Sequence, residues 1–367
     1  MKAWSDAASL ILAARHGQTY SCAVSPAIHN YKLLCLKRHQ KSSFMPGLYV
    51  FPGGTVDPAD VNLKWYEYFN AFGLDNDRLA SLVPKAVSRP QIFQSKENEL
   101  LREISLRITA IRETFEECGI LLCRRNKNGN AHSSWVEHVS IPEGEMQTWQ
   151  NKVHNDATEF LNLCQKLECY PDLWALYEWR NWLAPTYEYK TKRFNTAFYL
   201  ACIPHMPYAE YEAIEMDDLQ WFSPEEFSST GFEFPPPQQI EIARLTKIKS
   251  IDNLLNIAME RNKKGIQKLY LPIVVQLKDG IGMVMPEDTM YPKEIKLYEQ
   301  QIIDKSDITV DEFEKITTLT KNRIVFLDTQ VNIIFTDNSK DNRIVFPRPG
   351  YHSKSGNVKS KNKLQDE

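Results

Sequence analysis

The hydrophobic pattern along the first two thirds of the chain predicts strands and helices in mixed order. Apolar runs at 8–14 and 32–38 predict two strands, joined by a polar turn around Ser25-Pro26. Apolar positions at helical spacing predict one amphipathic helix over 149–164. Two more strands are expected at 176–185 and 192–201. Such a succession is typical of an α+β chain.

The closing third carries a weaker pattern of the same kind. It predicts a helix at 251–261 and strands at 270–277, 323–327 and 332–335. The five letters Asn-Arg-Ile-Val-Phe occur twice, at 322–326 and 342–346. Two copies indicate two similar strands in a small sheet, because a solenoid needs three or more repeats.

The composition narrows the class of protein. Of 367 residues, 43% are hydrophobic and 25% charged, and the net charge is −3. These values are typical of a globular protein and give no general attraction to nucleic acid or to an anionic membrane. We find no apolar run of the ~18 residues that a membrane span needs. Seven cysteines without C-x-x-C spacing favour a reducing, intracellular compartment over a disulfide framework.

The chemistry is concentrated in an acidic helix predicted over 109–118. Glu113, Glu116 and Glu117 have i, i+3 and i+4 spacing, so the three carboxylates share one helix face. Gly119 is placed to end the helix. Taken alone, this run is compatible with a solvated acidic face. Clustered oxygen donors also suit a hard divalent cation such as Mg²⁺ or Mn²⁺.

A turn upstream changes the balance between those two interpretations. Residues 48–51 are β-prone and lead into Pro52-Gly53-Gly54, a sharp turn at which backbone can approach a ligand closely. Turn and helix together resemble the Nudix box of the Nudix hydrolases, G-x5-E-x7-R-E-U-x-E-E-x-G-U. Gly54 matches the opening glycine, and residues 112–120 match the second half.

The resemblance has departures. Asp60 stands where the box has Glu, and Thr114 fills an apolar slot. Residues 61–111 separate Asp60 from Arg112, whereas the family usually has seven residues there. The box is therefore split by an insert, which contains aromatic residues at near-helical spacing from 65 to 72 and a helical pattern that resumes at Glu97. The aromatic residues are expected to pack in a core.

The split, together with later segments, is similar to the subgroup called nucleoside diphosphate-linked moiety X motif 19. This resemblance implies an α+β fold: a Nudix α/β/α sandwich with a mixed sheet, a helical insert splitting the box and a small C-terminal α/β extension. The implied domains are a Nudix hydrolase domain at 1–246 with the insert at 61–105, an extension at 247–350 and a disordered tail at 351–367.

The resemblance also implies roles for the box residues. Glu113, Glu116 and Glu117 would bind Mg²⁺ or Mn²⁺, and Arg112 would orient a box carboxylate through a fork-like ion pair. Gly53 and Gly54 would let the loop approach the helix and the metal. Asp60, one methylene shorter than Glu, receives no catalytic part.

The general base is left between two groups. One is Glu116 in the box, and the other is Glu215, in an acidic loop that in many Nudix enzymes reaches over the metal. Glu212 is the second choice within that loop.

Three cations are candidates for binding the substrate phosphates. Ser43 occupies the position at which coenzyme A-directed relatives carry Arg, and Arg38 and Lys41 are placed to supply the missing charge. Arg193 lies in a segment that resembles a substrate-facing strand of the subgroup. Surface solubility or a strand-end position are the alternatives for these three residues.

The implied function is metal-dependent hydrolysis of the diphosphate of coenzyme A or acyl-coenzyme A, to 3′,5′-ADP and (acyl-)phosphopantetheine. A Nudix hydrolase of another nucleoside diphosphate derivative and a catalytically silent nucleotide- or partner-binding protein remain alternatives. Retention of all three glutamates favours an enzyme. Mitochondrion or peroxisome is expected from the subgroup, although the sequence ends without a Ser-Lys-Leu type signal and starts without a clear presequence. No feature of the sequence fixes an oligomeric state.

Overall fold

The first strand, β1 (Ser5–Arg15), shows how the main sheet is covered. Because side chains alternate along a strand, Leu10 and Leu12 enter one hydrophobic cluster while Ile11 and Ala13 enter a second cluster on the other face. All four side chains are fully buried. The sheet therefore lies between two apolar layers.

The computed structural model describes residues 4–17, 28–85, 88–125, 133–185, 193–228, 231–315, 320–328, 330–337 and 340–347. The turn predicted at Ser25-Pro26 and the predicted disordered tail at 351–367 lie outside these ranges. The remaining strands are β2 (Tyr31–Arg38), β3 (Tyr49–Val50), β4 (Gly53–Thr55), β5 (Cys123–Arg124), β6 (Tyr170–Pro171), β7 (Tyr177–Leu183), β8 (Phe194–Ile203), β9 (Met216–Phe222), β10 (Leu269–Tyr270), β11 (Ile273–Leu277), β12 (Ile281–Val284), β13 (Ile302–Lys305), β14 (Asn322–Phe326), β15 (Gln330–Asp337) and β16 (Lys340–Pro347).

The helices are α1 (Lys64–Asn70), α2 (Asn76–Ala80), α3 (Arg102–Cys118), α4 (Met146–Asn155), α5 (Glu159–Lys166), α6 (Pro236–Leu245), α7 (Ile251–Lys264) and α8 (Val310–Lys315). Short 3₁₀ turns occur at Gln91–Phe93, Leu173–Ala175 and Glu226–Ser228. None of the helices in the described residues combines the length and the apolar character needed to cross a bilayer.

The main sheet is mixed, with the order β10-β7-β8-β1-β2-β3. Strands β1 and β8 pair in parallel, β1 and β2 pair antiparallel, and β4 and β9 pair with β1 and β2 respectively. Helix α3 packs with the cluster on one face, and α6 and α7 pack with the cluster on the other. The predicted α+β architecture, a mixed sheet between helical layers, is confirmed.

The insert contributes to the core on the α3 side. Its aromatic side chains Trp65, Phe69 and Phe72 are buried, and Trp65 lies 6.0 Å from Phe160 of α5 between ring centroids. The expectation that these aromatic residues pack in the core is confirmed.

A second sheet has the order β13-β11-β12-β14-β15-β16. The two Asn-Arg-Ile-Val-Phe copies form β14 and lie within β16, and both strands pair antiparallel with β15. The prediction of two similar strands in one small sheet is therefore confirmed. Helix α7 begins at Ile251 as predicted, but it packs against β7, and β10 pairs in parallel with β7. The domain boundary at 246 stays a prediction.

Three predicted elements are wrong in extent. The single helix at 149–164 is two helices, because the Asp156 carboxylate accepts hydrogen bonds from the N–H and hydroxyl of Thr158 and turns the chain. The helical pattern from Glu97 becomes a helix only at Arg102, since Asn98 has a φ of 62°. The strand at 270–277 is divided between the two sheets at Pro272, which has no N–H to donate.

Candidate active site

Helix α3 carries the three glutamates as predicted. It ends at Gly119, whose φ of 72° lies in the left-handed region and whose N–H donates to the Phe115 carbonyl at 2.8 Å. The side chains of Glu113 and Glu116 are 14% and 9% exposed, and Glu117 is buried. The carboxylates therefore do not form a solvated acidic face.

Burial changes the acidity of all three groups. It raises the pKa of Glu113 to about 8, with the charge of Glu116 adding to the effect and that of Arg112 opposing it. The pKa of Glu116 is raised by burial and lowered in part by Arg112. Burial and the charge of Glu113 raise the pKa of Glu117 well above its ordinary value. Burial therefore disfavours ionisation of the three carboxylates, and nearby positive charge favours it.

Arg112 holds the cluster from one side. Its Nε and Nη2 donate to the two oxygens of Asp60, both at 2.9 Å, which is a bidentate fork. Its Nη1 donates to Glu116 at 2.5 Å, and its Nη2 lies 2.9 Å from Glu113. The guanidinium thus connects the carboxylates of Glu113 and Glu116 to the buried carboxylate of Asp60.

Asp60 is a residue whose role sequence reasoning missed. It is 1% exposed and accepts a hydrogen bond from the Thr109 hydroxyl at 2.8 Å besides those from Arg112. The sequence signal for this role was the position of Asp60 in the Nudix box, where Asp replaces the usual Glu. In the structure the Asp60 carboxylate holds the Arg112 guanidinium in position.

The two glycines approach the helix as closely as predicted. The N–H of Gly53 donates to Glu117 at 2.9 Å. A Cβ on Gly53 would lie 2.3 Å from the Ala8 carbonyl, and one on Gly54 would lie 2.4 Å from the Glu113 carboxyl carbon. Gly53 also has a φ of 153°, so this position excludes a side chain, whereas a methyl group at Gly54 would require the Glu113 carboxyl group to move.

The acidic loop reaches the same region. The Glu212 N–H donates to the Glu117 carbonyl at 3.0 Å, and the Glu212 carboxylate accepts from the N–H groups of Ile214 and Glu215. The Glu212 carboxylate therefore stabilises the turn of its own loop. The negative charge of Glu215 raises the pKa of Glu117 and the positive charge of Arg38 lowers it, so both charges act on Glu117.

Lys41 and Arg193 lie apart from these contacts. Lys41 is exposed on the turn after β2, where its N–H donates to His39 Nδ1 at 3.0 Å. Arg193 is buried, with Nε donating to Ala184 and Nη1 donating to Leu297. The contacts of Arg193 tie it to the chain around Trp4 and not to the glutamates.

Helix α4 adds two residues that sequence reasoning did not select. His154 Nδ1 lies 3.9 Å from Glu116 Oε2, and the charge of His154 lowers the pKa of Glu116. The amide of Gln150 donates to the Glu116 carbonyl at 3.2 Å. The amphipathic pattern predicted that this helix packs in the core. It could not predict that His154 lies near α3, because that contact joins residues far apart in the sequence.

The donor set fits a hard divalent cation. It consists of buried carboxylate oxygens on one helix face, beside two glycines that leave room for close approach. Each carboxylate has a protein partner, Arg112 for Glu113 and Glu116 and the Gly53 N–H for Glu117.

Comparison with known proteins identifies the family. The family described as the NUDT19 Nudix domain matches residues 4–245. The chain belongs to the NUDT19 Nudix family.

Similar proteins of the NUDT19 type cover most of the chain. The acyl-coenzyme A diphosphatase NUDT19 of Xenopus laevis is 32% identical over 85% of this chain and 87% of its own length. The protein of the same name from Gallus gallus is 33% identical over 92% of this chain and 93% of its own length. The putative nudix hydrolase 7 of Caenorhabditis elegans is 28% identical over 68% and 63%. Among solved structures, a NUDIX hydrolase from Alicyclobacillus acidocaldarius is 19% identical with a TM-score of 0.47, over 69% of this chain and 96% of that one.

The split box lies within the part of the chain that matches the NUDT19 Nudix family. The matched region contains the glycine turn, the insert and the acidic helix in one unit. In this member the two halves of the box meet through the Arg112–Asp60 fork and the Gly53–Glu117 hydrogen bond. The family resemblance predicted from the residues is confirmed.

Proposed function

We propose that this protein hydrolyses the diphosphate bond of coenzyme A and acyl-coenzyme A, giving 3′,5′-ADP and (acyl-)phosphopantetheine. The observation that carries the proposal is the buried glutamate cluster against the Gly53-Gly54 turn. It occurs in a chain that resembles acyl-coenzyme A diphosphatases over more than four fifths of its length.

In this proposal Glu113, Glu116 and Glu117 bind Mg²⁺ or Mn²⁺. When bound, such an ion supplies neutralising charge for the phosphoryl oxygens and a more acidic water. The protein groups do the positioning: Arg112 fixes Glu116 and Glu113, and the Gly53 N–H fixes one oxygen of Glu117. Arg112 therefore acts by holding catalytic carboxylates in place.

Two carboxylates are proposed as the general base, Glu116 and Glu215. Glu116 has a pKa that burial raises and Arg112 lowers in part, and its carboxylate is held by Arg112 within the cluster. Glu215 lies in a loop whose Glu212 N–H donates to the Glu117 carbonyl, and its charge raises the pKa of Glu117. The pH dependence of single variants at the two positions distinguishes them.

Arg38 and Lys41 are proposed to bind the substrate phosphates. Arg38 is near enough to Glu117 for its charge to lower the pKa of that group, and Lys41 is exposed on the adjoining turn. For Arg193, the Nη2 atom has no hydrogen-bond partner among the described residues. Its substrate contact stays a prediction.

The test is hydrolysis of a panel of diphosphates by wild type, Glu117→Gln and a matched Glu143→Gln variant. Glu143 is an exposed glutamate that contributes none of the contacts described above. The panel contains coenzyme A, an acyl-coenzyme A, NADH, ADP-ribose and a capped nucleotide, each with Mn²⁺, with Mg²⁺ or with chelator. We expect 3′,5′-ADP from the coenzyme A species, lost on chelation and lowered at least ~100-fold in Glu117→Gln only.

Other results separate the parts of the proposal. Cleavage of a different panel member would keep the metal chemistry and replace the substrate. Equal activity of Glu117→Gln and Glu143→Gln would remove the glutamate from the mechanism. Binding of coenzyme A without turnover would favour a silent binding protein.

For location we propose a reducing intracellular compartment, in a mitochondrion or a peroxisome. Every cysteine in the described residues is a free thiol, in agreement with reducing conditions. Imaging of a fluorescent fusion placed at each terminus in turn, with organelle markers, tests the assignment.

A further inference from the structure

A second cluster of metal-binding side chains lies away from the glutamates. It consists of Cys123 at the start of β5, Cys164 in α5 and Cys169 just before β6. Their three sulfur atoms lie within 4.8 Å of one another, and all three residues are fully buried. Among the described residues this is the one group of cysteines that converges in this way.

The end of α5 brings two of the sulfurs together. The Cys169 N–H donates to the Cys164 carbonyl at 3.0 Å, and the Glu168 N–H donates to the Gln165 carbonyl at 3.2 Å. This pair of bonds is a Schellman motif, with Cys164 and Cys169 at the two positions whose side chains touch. Glu168 occupies the left-handed position with a φ of 49°, which usually favours Gly. The motif therefore persists at a conformational cost.

Pairing of β5 with β6 adds the third sulfur. Cys123 is opposite Pro171, and the Asp172 N–H donates to the Leu122 carbonyl at 3.1 Å. The Tyr68 hydroxyl of the insert donates to the Cys169 carbonyl at 2.6 Å. The backbone on both sides of the cluster is thus fixed by the fold.

A Schellman motif explains contact between two apolar side chains, but it does not require a third sulfur. Three thiolates around one ion at ~2.3 Å stand about 4 Å from one another in trigonal geometry, and the three sulfurs here lie within 4.8 Å of one another. Sulfur ligands select soft cations over Mg²⁺ and Mn²⁺. The chemistry of this cluster is therefore different from that of the carboxylates on α3.

We propose that Cys123, Cys164 and Cys169 form a thiolate site for one soft d¹⁰ cation, Zn²⁺ or Cu⁺. Binding would form three metal–sulfur bonds, and the protons that the thiols still carry would be released to solvent. The ion would join α5 to β5 and β6, next to the insert. Its role would be structural, since the cluster lies outside the contacts of the glutamate site.

The acidity of the cluster agrees with this assignment. Hydrogen bonds from Cys123 and Cys164 lower the pKa of the Cys169 thiol to about 4, against the opposing effect of burial. Burial raises the pKa of the other two thiols well above the ordinary value. A cation bound to these sulfurs would favour the thiolate form of all three cysteines.

The experiment uses the full chain, reduced under anaerobic conditions and stripped with chelator. Titration with Co²⁺, a spectroscopic substitute for Zn²⁺, is followed through thiolate-to-metal charge-transfer absorption, which a carboxylate site does not give. Zn²⁺ is then added as a competitor, and a separate arm titrates Cu⁺ against a chromophoric Cu⁺ chelator. The variants are Cys169→Ala, Cys123→Ala and, as a control, Cys202→Ala, which removes a fully buried cysteine from the opposite face of the sheet.

We expect one thiolate-bound ion per chain in wild type and Cys202→Ala, and an affinity at least ~100-fold lower in Cys169→Ala and Cys123→Ala. The Zn²⁺ and Cu⁺ arms show which of the two ions the site can bind. Absence of thiolate absorption and of Cu⁺ competition in the reduced wild type would overturn the proposal and leave an apolar thiol cluster. Because the wild type alone gives this result, an unfolded variant does not prevent the decision. Diphosphate hydrolysis is measured separately, so failure of either proposal is visible without the other.

Discussion

At the scale of single residues, the site depends on two glycines, because a side chain at either position would meet neighbouring atoms. Gly54 lies where any Cβ would meet the Glu113 carboxyl group, and Gly53 lies where a Cβ would meet the backbone of β1. A glycine doublet after a strand predicted a close approach, and the structure identifies the approaching groups. The Glu113 side chain of α3 therefore packs directly against the β4 backbone at Gly54.

Gly54→Ala tests this arrangement. The added methyl would displace Glu113, so we expect the Mn²⁺-dependent hydrolysis to fall at least ~10-fold and the free energy of unfolding to fall by about 1–3 kcal/mol. Steady-state kinetics and urea unfolding measure the two effects. The neighbouring Thr55→Ala is the control, since Thr55 is exposed and only its carbonyl contacts Arg112. Unchanged kinetics in Gly54→Ala would show that Glu113 moves at no cost.

Asp60→Asn tests the anchor of Arg112. The amide keeps one acceptor oxygen but replaces the other with a donor that faces the guanidinium, in a fully buried setting. We expect a loss of about 1–3 kcal/mol in the free energy of unfolding and a lower kcat, because Arg112 no longer fixes Glu116.

The matched control for that variant is Asp57→Asn. The Asp57 side chain accepts a hydrogen bond from the Ala59 N–H, which an asparagine oxygen can also accept. If both variants lose equal stability and activity, Asp60 has no special part in positioning Arg112.

At the scale of elements, local signals fixed the acidic helix well and its neighbours less well. The spacing of the glutamates and Gly119 predicted the end of α3, because both act within one or two helical turns. The start of α3 depends on Asn98 and on a bond from the Arg102 N–H to the Ser95 hydroxyl, which a hydrophobic pattern does not show. Likewise the Asp156 side chain accepts a hydrogen bond from the Thr158 N–H and turns the chain, so two helices form where one was predicted.

A buried histidine connects elements on the other face. His29, just before β2, contacts the Leu245 carbonyl at the end of α6 and the Glu225 carboxylate. Burial lowers the pKa of His29, although Glu225 opposes the effect. Between this lowered pKa and the ordinary value of 6.5 the unfolded chain binds more protons than the folded chain, so stability decreases as pH falls through that window.

We therefore expect the free energy of unfolding of wild type, relative to that of His29→Gln, to decrease from pH 7 to pH 5. The raised pKa values of Glu113, Glu116 and Glu117 act in the opposite direction over this range, but they are common to both proteins. Each unit of pKa shift corresponds to about 1.4 kcal/mol. The lowered pKa of Glu225 acts below about 4.5, outside this window. Urea unfolding at half-unit pH steps measures the slopes. Parallel slopes for the two proteins would assign the effect to other groups.

At the scale of the whole molecule, the residues after 246 contact the main sheet directly. Helix α7 buries Ile251, Leu254 and Leu255 in the cluster on the β7 side, and β10 pairs with β7. The same cluster includes Met283 and Ile324 of the second sheet. The apolar face of the main sheet is therefore covered by parts of the extension.

A chain ending at residue 246 tests whether the first region folds alone. Loss of three large α7 side chains removes roughly 5–9 kcal/mol of apolar burial, comparable with the whole net stability of a domain. We expect no cooperative urea unfolding and strong binding of an apolar dye. A chain ending at 347 keeps the helices and strands described above and is expected to unfold like the full chain. Cooperative unfolding of the 246-residue chain would support the predicted boundary.

The sequence by itself determined the features that depend on near neighbours. These are the carboxylate face of α3, the helix end at Gly119, the glycine turn, the main strands and the two repeated strands of the second sheet. Helical and strand periods repeat within a few residues, so a pattern predicts them without knowledge of the fold.

Only the tertiary structure decided which distant groups meet. The Arg112–Asp60 fork closes across the insert, His154 reaches Glu116 from another helix, and β1 pairs in parallel with β8. The thiol cluster likewise needs β5, the end of α5 and β6 together. These contacts depend on how long loops close and on how layers pack. Neither process leaves a local period in the sequence.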